Sequence, residues 1–241
     1  MLMTFLALLT AHLISDFLFQ TEWMVENKRN PAVLCLHIAI TVVIAALTIG
    51  GTPTVLLISI AITHLCMDAL KTYVLRDSLT SFLGDQAFHI AVLLALTFYQ
   101  PTTFQLWWWA HWLTKPQLHQ YMAGLCLISG LLINLLFGAV FIRKATEQFA
   151  SQIRNNIRGL EKGGFYIGLL ERGLVMLFIL INQPTGVGFL ITAKSILRFG
   201  DVKNANQRKS TEYIIIGTFM SFGLSLFVAV LTQAAIKYWL P

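Results

Sequence analysis

The chain has 241 residues, of which 56% are hydrophobic and only 12% charged. Soluble domains carry about 25% charged residues, so a water-soluble globular class is excluded. The net charge of +6 would suit a nucleic-acid partner, but in so apolar a chain the basic residues report membrane topology, and no nucleic acid is expected.

Apolar runs of bilayer-crossing length recur along the sequence. The first, "MLMTFLALLTAHLISDFLFQ" (about 1–20), lacks a basic leading region and a small-residue cleavage site, so it reads as a span and not as a removed signal peptide. After the polar "TEWMVENKRN", Pro31 opens a second run, about 31–49, which "GGTP" joins to a third, about 54–71. A fourth follows at about 82–99. The linker "QPTTFQLWWWAHWLTKPQLHQ" is rich in indoles, which favour the membrane interface. The fifth run is about 121–142 and the sixth about 165–182. A short seventh, 186–199, follows the break "NQPTG", and an eighth covers about 212–236. The fold class expected is all-α, a polytopic transmembrane bundle of about eight spans with the seventh short or re-entrant. Three regions follow: a four-helix unit at 1–100, the interfacial linker at 101–120, and a C-terminal helical unit at 121–241.

Lys28, Arg29, Lys71, Arg76, the basic residues from Arg143 to Lys162, and Lys194, Arg198, Lys203, Arg208 and Lys209 all fall on one side of this arrangement. Only Lys115 and Lys237 fall on the other. The positive-inside rule then gives N-out and C-out. Cys35, Cys66 and Cys126 are isolated, without CxxC spacing, and read as buried free thiols.

The polar residues inside the spans carry the functional signal. His12 and Asp16 lie near the inner end of span one, and His37 lies early in span two. The third ends "THLCMDALK" with His64, Asp68 and Lys71, and the fourth begins "FLGDQAFHI" with Asp85 and His89. At about 1.5 Å per residue all four histidines reach one depth, roughly 10 Å inside the cytoplasmic boundary. Residues four apart share a helix face, so each His/Asp pair can turn inward together. Imidazoles with carboxylates suit zinc and similar divalent ions, and the set is enough for one metal with an oriented second shell or for a pair of metals. Hydrogen bonding between helices, or pairing of Asp16 or Asp68 with Lys28 or Lys71, is the bland alternative. Intramembrane ionisable groups nonetheless point to function by default. His111 and His119, in the aromatic linker, read as exposed. A second polar cluster comprises Glu171 and Arg172 in span six, Lys194 and Arg198 in the seventh segment, and Glu212 at the start of span eight. Glu171–Lys194 and Glu212–Arg198 pairs would clamp the short segment, or the cations would meet a phosphate.

The stretches "AHLISDFLFQTEWMVENK", "THLCMDALK", "GDQAFH" and "GLLERGLVMLFILINQPTGVGFLITAKSILRFGD" resemble the bacterial membrane proteins grouped as domain of unknown function 3307. That resemblance implies a multi-pass protein of the bacterial inner membrane and the same choice of polar residues. The HxxxD element at His64 and Asp68 is more loosely similar to inner-membrane metal-dependent hydrolases, whose HRxxTHS element has no counterpart here.

Three functions follow as expectations. The first is a metal-dependent hydrolase of a lipid or lipid-linked phosphate. His12, His37, His64 and His89 would supply metal ligands, Asp16, Asp68 and Asp85 ligands or bases, and Lys71, Glu171, Lys194, Arg198 and Glu212 the substrate contacts. The second is an ion- or proton-coupled transporter using the same groups. The third is a structural or partner-binding membrane protein docking through 143–162, where Phe149, Ile153, Ile157 and Leu160 form a modest amphipathic stripe. Membrane lipids are the partners expected, and homo-oligomerisation is left open.

Overall fold

The computed structural model describes residues 1–151, 162–198 and 205–240. Among these, every regular element is helical. In chain order they are α1 (Leu2–Leu13), which runs on as a π-helical turn (Ile14–Phe19), α2 (Glu22–Glu26), α3 (Pro31–Ile49), α4 (Thr54–Tyr73) and α5 (Leu79–Tyr99). A 3-10 turn (Thr103–Leu106) precedes α6 (Trp108–Trp112). Then come α7 (Lys115–Leu132), a second π-helical turn (Ile133–Phe137), α8 (Gly138–Ala150), α9 (Gly163–Leu180), α10 (Thr185–Arg198) and α11 (Ala205–Trp239). Seven helices are long and apolar enough to cross a membrane, and Thr185–Ile196 is a shorter apolar one. This is the pattern of a multi-pass membrane protein, and the short seventh segment expected from the sequence is a helix.

Local chemistry sets the helix ends. Asn30 Oδ1 accepts the Ala32 N–H at 3.0 Å and Pro31 opens α3, where its missing N–H is harmless. Thr21 caps α2 and Ser78 caps α5 in the same way. At the far end of α3, Gly50 adopts φ 77°, the left-handed conformation that glycine tolerates best. The indole N–H of Trp109 donates to the Leu47 carbonyl at 2.7 Å, satisfying one of the acceptors that a helix end leaves open.

The chain divides into two compact units, Met1–Leu132 with Ala235–Pro241 and Ile133–Ala234. In the first, α1 packs on α3, α5 and α7, while α4 lies on both α3 and α5. Its apolar core gathers Leu6, Leu8, Ile49, Leu56, Phe104 and Met122. Leu6, Leu8, Ile49 and Leu56 come from the beginnings of α1 and α4 and the end of α3, Phe104 from the 3-10 turn and Met122 from α7. His12 lies at the far end of α1 and His37 near the start of α3, while His64 and His89 lie midway along α4 and α5. His111 and His119 are exposed, as read from the sequence. The cysteines are free as expected, but only Cys126 is buried, while Cys35 and Cys66 are exposed. An apolar helix surface can face lipid as well as protein, so hydropathy alone did not separate the two.

The second unit buries Arg172 on α9. Its guanidinium donates to Ser221 Oγ at 3.3 Å and to the Leu135 carbonyl at 3.1 Å. Asn134 donates to the Arg172 carbonyl at 2.9 Å. Asn134 and Leu135 both lie in the π-helical turn, whose i→i+5 pattern disturbs the regular backbone ladder at this point.

Candidate metal centre

The four histidines and three aspartates singled out in the first four spans meet in one buried cluster. The π-helical turn after α1 carries Asp16, and Ser15 beside it is hydrogen-bonded to Thr41 of α3. Asp16 Oδ1 is the hub: it lies 3.6 Å from His12 Nδ1, 3.5 Å from His37 Nε2 and 3.3 Å from His64 Nε2. Asp68 Oδ2 lies 3.4 Å from His37 Nε2 and 3.8 Å from His64 Nε2, and the two imidazole nitrogens are 3.2 Å apart. Next to this group, His89 Nε2 lies 3.3 Å from Asp85 Oδ1.

These contacts are close, yet the carboxylate oxygens concerned are not hydrogen-bonded. Asp16 Oδ1, Asp68 Oδ2, Asp85 Oδ1 and His89 Nε2 are all buried without a hydrogen-bond partner. His37 Nδ1, across its ring from the cluster, is unpartnered as well. Buried polar atoms are almost always satisfied, so several orphans in one place need a cause. Here His37 and His64 are hydrogen-bonded to each other, while the carboxylate oxygens crowd the imidazole nitrogens without bonding to them, as ligand atoms around a shared ion would. A tetrahedral ion with ligands at about 2.0–2.1 Å holds them roughly 3.3 Å apart. The separations among Asp16 Oδ1, His37 Nε2 and His64 Nε2, at 3.5, 3.3 and 3.2 Å, fall about that value.

The outer oxygens of the carboxylates are fixed from elsewhere. Lys28 donates to Asp68 Oδ1 at 3.1 Å, and Lys71 donates to Asp85 Oδ2. The pairing of Asp68 with Lys28 was one of the bland alternatives, and the Lys71 partner is Asp85. Gln86, which the sequence reading did not single out, donates from Nε2 to Asp16 Oδ2 at 3.4 Å and to Asp85 Oδ2 at 3.3 Å. Its carbonyl faces His12 Nε2 at 3.3 Å. The only sequence signal for Gln86 is its position beside Asp85 on a helix whose next turn carries His89. Three carboxylates face two ammoniums in this cluster, so with neutral histidines one negative charge is left over at a site almost cut off from water.

His12, His64 and His89 also approach one another, and they line a cavity roughly the size of one water molecule. The His64 and His89 rings stack with centroids 4.1 Å apart. In-plane lone pairs of stacked rings do not converge well on one ion, and His12 Nε2 is engaged by Gln86. The group of Asp16, His37 and His64, with Asp68 Oδ2 next to its two imidazoles, is therefore the better candidate.

Among the remaining site residues read from the sequence, Lys194 donates to Glu171 at 2.7 Å in the second unit, the pair expected. Glu212 lies on α11 and is engaged in an interaction of its own. Arg198 closes α10, but its side chain lies outside the described part, as do Ile153, Ile157 and Leu160 of the amphipathic stripe.

Residues 4–114 match the model of a family described as protein of unknown function (DUF3307), so that resemblance is shown for this part of the chain. The match contains every His and Asp of the cluster, whereas the late segment from Gly168 onward lies beyond it. No curated protein matches the chain. No solved structure matches it either.

Proposed function

We propose that the protein is a multi-pass protein of the bacterial inner membrane that holds a divalent metal, zinc by its ligand chemistry, and hydrolyses a lipid or lipid-linked phosphate at the cytoplasmic leaflet. The observation that carries this reading is the convergence of Asp16 Oδ1, His37 Nε2 and His64 Nε2, with Asp68 Oδ2 beside the two imidazoles and both oxygens unpartnered. A divalent ion would satisfy those atoms and outweigh the leftover negative charge, and a bound hydroxide would bring the cluster to neutrality.

The distribution of Lys and Arg supports eight crossings, the short α10 among them, with both termini outside and the histidine ends of α1, α3, α4 and α5 toward the cytoplasm. At that end an amphiphilic phosphate would meet the partly exposed Lys71 and Lys28. A bound ion would supply an activated water; its attack at phosphorus would break the ester P–O bond, and the departing oxygen would need a proton. His12, beside Asp16 and bonded to Gln86, lines the water-sized cavity and is suited to relay that proton.

Metal analysis of the detergent-purified protein tests the first half. Stoichiometric zinc or manganese is expected in the wild type, with loss of at least nine-tenths of it in His37→Ala and His64→Ala at unchanged helicity. Phosphate release from phosphatidate or isoprenyl-pyrophosphate micelles tests the second. Metal-free wild-type protein, or loaded protein that releases no phosphate from either class, would sink the respective half.

A further inference from the structure

Asp16, His37 and His64 leave other unpartnered ligand atoms of the cluster unused. Those atoms form a second set of three beside the first. Asp68, Asp85 and His89 each offer an atom within 4.8 Å of the others'. Asp85 Oδ1, His89 Nε2 and Asp68 Oδ2 are all unpartnered, and all three residues are at least nine-tenths buried. Lys28 and Lys71 occupy the outer oxygens of the two carboxylates and so leave the inner ones to face His89. Asp68 also stands beside the first set, its Oδ2 3.4 Å from His37 Nε2 and 3.8 Å from His64 Nε2.

We infer that the centre is binuclear. One ion is held by Asp16, His37 and His64 and a second by Asp85, His89 and Asp68, with Asp68, which also stands against His37 and His64, as the bridging carboxylate. With so few protein ligands the pair keeps an open position for water. This rests on the metal reading above and extends it to the substrate class. Paired ions about 3.5–4 Å apart clamp the attacking and departing oxygens of an in-line displacement at phosphorus. The charges agree with that substrate. Two divalent ions, a hydroxide, three carboxylates and two lysines leave two positive charges, which a phosphate monoester dianion neutralises. The hydroxide oxygen bonds to phosphorus as the ester P–O bond breaks, and its proton passes to the departing alkoxide, so atoms and charge balance without a further reactant.

The test is metal stoichiometry with manganese as the probe, together with its electron paramagnetic resonance, on the full-length protein in detergent. Wild type is expected to hold two ions per chain and to give an exchange-coupled spectrum. Asp85→Asn and His89→Gln are each expected to keep one ion and revert to a single-ion spectrum, the retained ion being the sign that the first cage is still folded. Asp68→Asn is expected to weaken both ions by at least tenfold. One ion in the wild type, or two retained in both Asp85→Asn and His89→Gln, overturns the binuclear centre but leaves the metal protein standing. No ion at all overturns both readings.

Discussion

At the scale of single residues, Gln86 decides how the acidic groups are shared. Its amide donates to one oxygen of Asp16 and one of Asp85, and its carbonyl faces His12. The inner carboxylate oxygens are thereby left toward the proposed metal positions. Hydrogen bonds to buried charges contribute about 1.5–3 kcal/mol each. Gln86→Leu removes two such donors and is expected to lose about 3 kcal/mol of stability without metal. Gln86→Glu is the more telling change. It adds a fourth carboxylate, so the metal-free protein should fall further while divalent metal should restore a larger share of the loss than in Gln86→Leu. Unfolding curves in mixed micelles, with and without zinc, measure both. Equal rescue of the two variants would separate Gln86 from the metal positions. Neither role was visible in the sequence, because a glutamine carries no charge and its reach across to His12 and Asp16 depends on how three helices pack.

At the scale of elements, α3 delivers His37 from one end and is anchored by aromatic packing at the other. A Cβ on Gly50 would lie 2.3 Å from Trp109 Cδ1, and Gly50 itself has φ +77°. Gly50→Ala therefore meets both a left-handed backbone and an overpacked contact. The expected loss is about 2–4 kcal/mol, read as an earlier thermal transition in detergent. Trp109→Leu would relieve the contact but forfeit the indole bond to Leu47, so the double variant should lose clearly less than the two single losses added together. Additive losses would show that the two residues do not act through that contact. The helices themselves were legible in the sequence, since a crossing run announces itself by length and composition. So was the cluster, through His and Asp four apart on successive runs. The π-helical turns were not, because a widened turn leaves no mark in hydropathy. One of them carries Asp16, and the other contains the backbone that receives Arg172. The fifth run was placed at about 121, while α7 starts at Lys115. Its first turn is polar and helical at once, and hydropathy registers only the polarity.

At the scale of the whole molecule, the distribution of polar groups argues for chemistry over transport. In the first unit the ionisable cluster runs from the middle of α4 and α5, at His64 and His89, toward one end, and the other end is filled by Leu6, Leu8, Ile49, Leu56, Phe104 and Met122. Hydroxyls do occur there, but they are spent locally. Thr10 donates to the Leu6 carbonyl at 2.8 Å, Thr48 to Ala45 at 3.1 Å and Thr97 to Leu93 at 2.7 Å. An ion leaving the histidines toward that end would shed its ligands into hydrocarbon, at a cost of several kcal/mol even for a single charge. Liposomes containing the protein and a trapped zinc-sensitive dye are therefore expected to show no zinc entry above protein-free liposomes, under either an imposed zinc gradient or a pH gradient. The same preparation should still bind manganese. Gradient-driven flux that disappears in Asp68→Asn would reverse the argument: the apolar end would then have to open, and the His/Asp cluster would be a stop on a permeation path instead of its end.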